Sequence, residues 1–148
     1  MSYHYKFEKI LTIKEKEKND ASSKYNQAVK TFELAAEKLY RTLRKKEEMQ
    51  NVQQGRLSQG LAVQDIRHHQ AFMDTLEKTL ERIQQEVMEA RYRMNAFQET
   101  LVEKTIEMKK YEKIKDKDYA KFLDQVKELE NKNMDEISIR QFINKAIR

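Results

Sequence analysis

The chain has 148 residues, 37% of them charged, a formal charge of +5, two Gly, and no Pro, Trp or Cys. An ordinary domain is roughly 25% charged, with about 7% Gly and about 5% Pro. So little turn chemistry argues against sheets and turn-rich folds and predicts long helices.

The charge excess lies in residues 1–60, which hold 13 Lys+Arg against 8 Asp+Glu; residues 61–148 hold 17 of each. Nothing in the chain reads as a run of about 18 apolar residues, so no membrane span and no direct membrane insertion are expected. The opening MSYHYKFEKI lacks the apolar core of a signal peptide. The absence of Cys fits a reducing cytoplasm.

Residues 3–54 read as a first helix. Phe7, Leu11, Ala21, Tyr25, Ala28, Phe32, Ala35 and Leu39 recur at steps of three and four, with Lys14 and Lys18 as interruptions. Val29, Ala36 and Leu43 widen the stripe. It weakens through Arg44, Lys45, Lys46, Glu47 and Glu48, leaving Met49 and Val52. Gly55 and Gly60 are the only glycines, so residues 55–62 are the expected turn.

Residues 63–133 read as a longer second helix, with Asp65 near its cap. One apolar set is Ile66, Met73, Leu80, Val87, Met94, Leu101 and Met108. The other is His69, Leu76, Ile83, Ala90, Phe97, Lys104 and Tyr111, with only His69 and Lys104 breaking the pattern. This heptad stripe fits a coiled-coil seam but is too narrow for a broad core. The expected fold is therefore all-α: a two-helix antiparallel coiled-coil hairpin, forming one domain.

A turn centred between the glycines pairs residues whose numbers sum to 115. Ala28 then faces Val87, Ala35 faces Leu80, and Phe32 faces Ile83. A one-heptad slip, to 122, sets Lys18 against Lys104, so 115 is the expected register. Beyond residue 112 the first arm runs out. Ile114, Tyr119, Phe122, Val126 and Leu129 resume the spacing after a phase shift. Residues 113–133 are expected to project alone for about 30 Å. Asn133, Met134 and Asp135 break the pattern, and residues 134–148 read as a short helical tail with Ile139, Phe142, Ile143 and Ile147 on one face.

Few residues suggest chemistry. His68 and His69 are adjacent and point about 100° apart on a helix, which suits two solvent-edge histidines better than a metal pair. There is no Cys, no Gly-x-Ser-x-Gly elbow and no phosphate loop. No catalytic residue, metal or cofactor is expected, and an enzyme is not. Arg41, Arg44, Lys45 and Lys46 form a basic cluster, but Glu47 and Glu48 follow at once, so a solvated surface is favoured over nucleic acid. Tyr92, Val102, Ile106 and Ile114 lie off the seam. So does Phe72, which with Leu76 makes a candidate binding patch.

Three segments carry a family resemblance: YKFEKILTIKEKEKNDA near the start, GLAVQDIRHHQAFMDTLEK after the turn, and NMDEISIRQF near the end. Together they resemble the FliJ family of the bacterial flagellar type III protein-export apparatus, over essentially the whole chain. The resemblance implies a long coiled coil like the central shaft of rotary ATPases. It implies that the end with both termini enters the hexameric export ATPase ring and promotes its assembly. On this chain that points to Phe7, Leu11, Tyr119, Phe122, Val126 and Leu129. It also implies contact with the transmembrane export gate through a surface near the turn. The matching positions are Phe72 and Leu76, with Thr79 and Ile83 on the following turns, and more weakly Lys38, Thr42, Lys45 and Met49. Export chaperones are a further implied partner, and the implied location is cytoplasmic, peripheral at the inner face of the cell membrane. The alternatives are a general coiled-coil scaffold or chaperone escort, and a nucleic-acid-binding hairpin.

Overall fold

In the computed structural model, which describes residues 2–147, two helices account for nearly the whole chain. α1 spans Glu8–Gln59 and α2 spans Val63–Ile147; no strand occurs among the described residues. The two pack on each other as a hairpin. The last residue of the expected tail, Arg148, lies outside the described residues.

The reversal is shorter and later than residues 55–62. α1 runs through Gly55, because a helical Gly costs only about 1 kcal/mol relative to Ala. Gly60 alone takes a left-handed φ, 86°. Its N–H donates to the Leu57 carbonyl at 3.3 Å, closing α1. The N–H groups of Asp65 and Ile66 donate to the Ala62 carbonyl at 3.1 and 3.2 Å. Asp65 sits in the first turn of α2, where its charge suits the helix dipole.

Contacts divide the chain into two units, Asp20–Val102 and Met1–Asn19 with Glu103–Arg148. In the first, the seam buries Ala21 and Ala28 from α1 and Met73, Leu76, Leu80, Ile83 and Ala90 from α2. Ile83 is the most enclosed, at 1% exposure. Tyr25, Phe32, Ala35, Leu39, Val87, Met94 and Phe97 are half-buried around them. Both helices mix alanines with larger side chains along the seam, Ala28 and Ala35 with Phe32 on α1 and Ala90 with Ile83 and Phe97 on α2. Lys38 pairs with Glu86 at 3.5 Å and Lys46 with Glu77 at 3.6 Å. Ala35 shares a shallow groove with Glu86 and Ala90.

These pairings correct the register. Their numbers sum to 121–125, around 122 and one heptad away from 115. The turn centred at residue 61, not between Gly55 and Gly60, produces the shift.

In the second unit the same register holds. Lys14 meets Glu107 at 3.2 Å, Lys104 meets Glu17 at 3.4 Å, and Lys115 meets Glu8 at 3.0 Å. Leu11 and Tyr5 are buried, at 3% and 8% exposure. Two further expectations change here. Residues 2–7, ahead of α1, lie along α2 as far as Phe122, so α2 is not bare from residue 113. Asn133–Asp135 does not interrupt α2, which continues to Ile147 as one helix.

Candidate partner-binding surfaces

The turn-proximal surface lies in the Asp20–Val102 unit. Phe72 occupies the position before the seam residue Met73, so its ring stands at the flank, 38% exposed. The Lys45 ammonium lies 5.5 Å from the ring centroid, a cation–π contact across the two helices. Leu76 and Ile83 instead point into the seam, at 7% and 1% exposure. Thr79 is half-buried and its hydroxyl donates to the Thr75 carbonyl at 3.0 Å. Any direct contact on this face falls to Phe72 and the edge of Thr79; Leu76 and Ile83 hold that face rigid from below.

On the first arm, Thr42 donates to the Lys38 carbonyl at 2.8 Å and Met49 is half-buried. The basic cluster is largely neutralised within the chain. Arg41 pairs with Glu37 at 2.6 Å, Arg44 with Glu48 at 3.4 Å, and Lys46 with Glu77. Cations already paired have less counterion release to offer a phosphate backbone. His68 and His69 belong to no metal-holding group among the described residues.

The termini-proximal surface lies in the other unit, and most of it was not visible in the helix pattern. Tyr3, Tyr5 and Phe7 alternate with His4 and Lys6, which are exposed. An extended chain advances about 6.6 Å per two residues and a helix about 6 Å per four. Tyr3 and Tyr5 can therefore meet successive turns of α2, while Phe7, in the turn that precedes α1, meets the same turn as Tyr5. The Tyr5 hydroxyl donates to the Tyr111 carbonyl at 2.9 Å, and the Tyr3 hydroxyl reaches the Lys115 carbonyl, one turn on, at 3.5 Å. Tyr3 also donates to the Asp118 carboxylate at 3.1 Å. Its ring packs edge-on to Tyr119 at 5.0 Å and tilted against Phe122 at 5.3 Å. Phe7 stands edge-on to Tyr5 at 5.9 Å and to Tyr111 at 6.4 Å.

Electrostatics follow this geometry. Desolvation against α2, then the hydrogen bond to Asp118 and its charge, push the Tyr3 phenol up to about 12. Tyr5 is raised for the same first reason, with Asp118 and Glu8 adding and Lys115 opposing. The hydrogen bond to Glu107 raises Lys14 against a desolvation penalty.

Of the residues expected to meet a ring, Leu11 is buried in the seam and Phe7 is half-buried. Phe122 lies under Tyr3, while Tyr119, at 45% exposure, is only partly covered. Val126 is half-buried and Leu129 is 41% exposed. From residue 127 to 147 every residue is exposed, including Phe142 at 74% and Ile147 at 79%. No helix is long and apolar enough to cross a membrane among the described residues.

The family model described as "Flagellar FliJ protein" matches residues 3–146. The chain is also 43% identical over 143 residues to the Flagellar FliJ protein of Bacillus subtilis (strain 168), covering 97% of each chain. No solved structure matches it significantly.

Proposed function

This chain belongs to the FliJ family of flagellar proteins, and from that premise we propose that it is a non-enzymatic stalk of the flagellar protein-export apparatus. In this reading the segment carrying the termini enters the export ATPase hexamer, promoting its assembly and activity. The face around Phe72 contacts the cytoplasmic part of the export gate. The protein then acts in the cytoplasm, held at the membrane only through that apparatus, and escorting export chaperones is a compatible additional role.

One observation carries the reading. Tyr119, Phe122, Val126 and Leu129 repeat at three, four and three residues, the spacing of a helix-packing seam, yet α1 does not reach them. Beyond them α2 continues to Ile147 with every described residue exposed. A helix of that length is marginal alone in water, so its apolar residues are best explained by a surrounding partner. The test is stimulation of the purified export ATPase by a chain lacking residues 127–148. Loss of stimulation is expected; full stimulation by the truncated chain overturns ring entry through this segment.

A further inference from the structure

We infer that residues 2–7 are a latch closed over the docking seam of α2, and that full docking requires Tyr3 to be released. The inference rests on the ring reading above and adds its regulation.

The seam runs from Tyr111 to Leu129, about 27 Å along α2 at 1.5 Å per residue. Residues 2–5 lie without helical structure along α2, and a turn follows them, the Glu8 N–H donating to the Tyr5 carbonyl at 3.3 Å. The farthest ring contact of the strap is Tyr3 on Phe122, and Leu129 lies beyond it, 41% exposed. Phe122 lies under the Tyr3 ring, Tyr119 is met on one edge and stays 45% exposed, and Val126 and Leu129 lie beyond the ring. A helix that first meets Val126 and Leu129 must displace the Tyr3 ring to extend along the rest.

The attachment is built for release. Among the described residues no backbone-to-backbone hydrogen bond joins the strap to α2. The strap holds by side chains alone: two tyrosine hydroxyls, three rings, and at its base Lys115 bridging to Glu8 at 3.0 Å. Tyr5 is buried at 8% exposure and Phe7 adjoins α1, so they form the fixed end. Tyr3 is half-exposed while Tyr5 is buried, so Tyr3 is the free end. Its two hydroxyl contacts are long for O–H donors, 3.1 and 3.5 Å. The rings under it, Tyr119 and Phe122, are the residues a docking helix needs. A closed latch reduces apparent affinity by the fraction of chains in which it is open.

Two modified chains push the latch in opposite directions, with purified export ATPase as the probe. Tyr3→Ala removes the free end and leaves Tyr5, Phe7 and the α1–α2 seam in place. It should lower the concentration giving half-maximal ATPase stimulation by about 3- to 10-fold, the worth of one aromatic cluster. The closed form comes from Ser2→Cys with Gln125→Cys, residues that line one groove. The chain has no other cysteine, so a bis-maleimide joins this pair alone. The joined protein should need a higher concentration than the same protein left unjoined, by a similar factor. Hydrogen exchange at residues 115–126 should rise in Tyr3→Ala and fall in the joined protein, confirming that each change acts on the strap. Weaker stimulation by Tyr3→Ala makes Tyr3 part of the ring contact and overturns the latch while leaving ring entry intact. Unchanged stimulation in both modified chains also overturns the latch alone. An unmodified chain that does not stimulate the ATPase overturns the ring reading, and the latch's role with it.

Discussion

Lys104 places its ammonium 3.4 Å from the Glu17 carboxylate. Three residues away on each helix, Lys14 meets Glu107 at 3.2 Å. Each lysine leaves the seam toward a carboxylate on the other helix, so Lys18 and Lys104 can share a layer without confronting each other. Stem along the seam and head in water is an ordinary lysine solution. The register follows: residues summing to about 122 face each other. Cysteines at Ala28 and Met94 should therefore cross-link on mild oxidation, whereas cysteines at Ala28 and Val87 should not. Gel mobility under non-reducing conditions reads the result, and preferential 28–87 linkage would restore the alternative register.

The reason that register was hidden in the sequence lies in Gly55. As one of only two glycines it reads as a helix end, but its backbone stays helical and only Gly60 turns left-handed. Moving the turn by half a heptad moves the pairing by a whole one. The heptad stripes themselves were plain, because Ile83, Leu80 and Leu76 repeat without a glycine or proline between them. Asn133 and Asp135 looked like a break, yet such residues cost only about 0.7 kcal/mol in a helix, and α2 absorbs them. Burial also separates two roles that spacing cannot. Leu76 and Ile83 belong to the seam, while Phe72, one step off it, is exposed. The strap was missed for a different reason. Its signal is the period-two alternation Tyr3, Tyr5, Phe7, five residues long and set against a helix with a period of 3.6.

Ile83 tests the seam. At 1% exposure it is the most enclosed side chain in the molecule's described residues. Ile83→Ala removes three buried carbons and leaves a gap that two rigid helices close poorly. The expected loss is about 2–4 kcal/mol, seen as a fall in the thermal midpoint by circular dichroism. A fall of less than about 0.5 kcal/mol, the range of surface substitutions, would move Ile83 out of the core.

Phe72 should behave in the opposite way. Its only cross-helix tie described here is the Lys45 cation at 5.5 Å, worth about 0.5–1 kcal/mol at an exposed site. Phe72→Ala should leave helicity and the thermal midpoint nearly unchanged while weakening binding to the purified cytoplasmic part of the export gate. Leu76→Ala, one turn along, should lower the midpoint. Equal loss of helicity in both variants would assign Phe72 to the core instead of a partner surface.

Tyr3 makes the strap pH-sensitive at the alkaline end. Its phenol is raised from 10.0 to about 12 by desolvation, then by the hydrogen bond and charge of Asp118. The folded state thus favours the protonated, neutral form. Its stabilising contribution is fully present below pH 10, declines above it, and is gone once the pH passes the folded value near 12. Ultraviolet titration should show late-ionising tyrosines, Tyr3 and Tyr5 among them, and Tyr3→Phe should remove the one near 12. Asp118→Asn should bring that ionisation down toward 10, because it removes a charge and weakens the acceptor. A late-ionising amplitude that Tyr3→Phe leaves unchanged would assign the shift to another residue.

The bare end of α2 separates stability from docking. Every residue from 127 to 147 is exposed, so removing residues 127–148 deletes no buried residue among the described ones. The thermal midpoint should stay within about 1 °C, since a change of 1 kcal/mol moves it by about 2–8 °C in small domains. Ellipticity per mole of chain should nonetheless fall, because about 20 helical residues are lost, unless that segment is frayed in solution. Hydrogen exchange distinguishes the two: isolated helices of this length open readily, so amides beyond residue 127 should exchange far faster than those around Ile83. Slow exchange there in the free protein would mean that Ile139, Phe142 and Ile143 are covered by something in solution. Analytical ultracentrifugation would then identify that cover as a second copy of the chain or as its own helices.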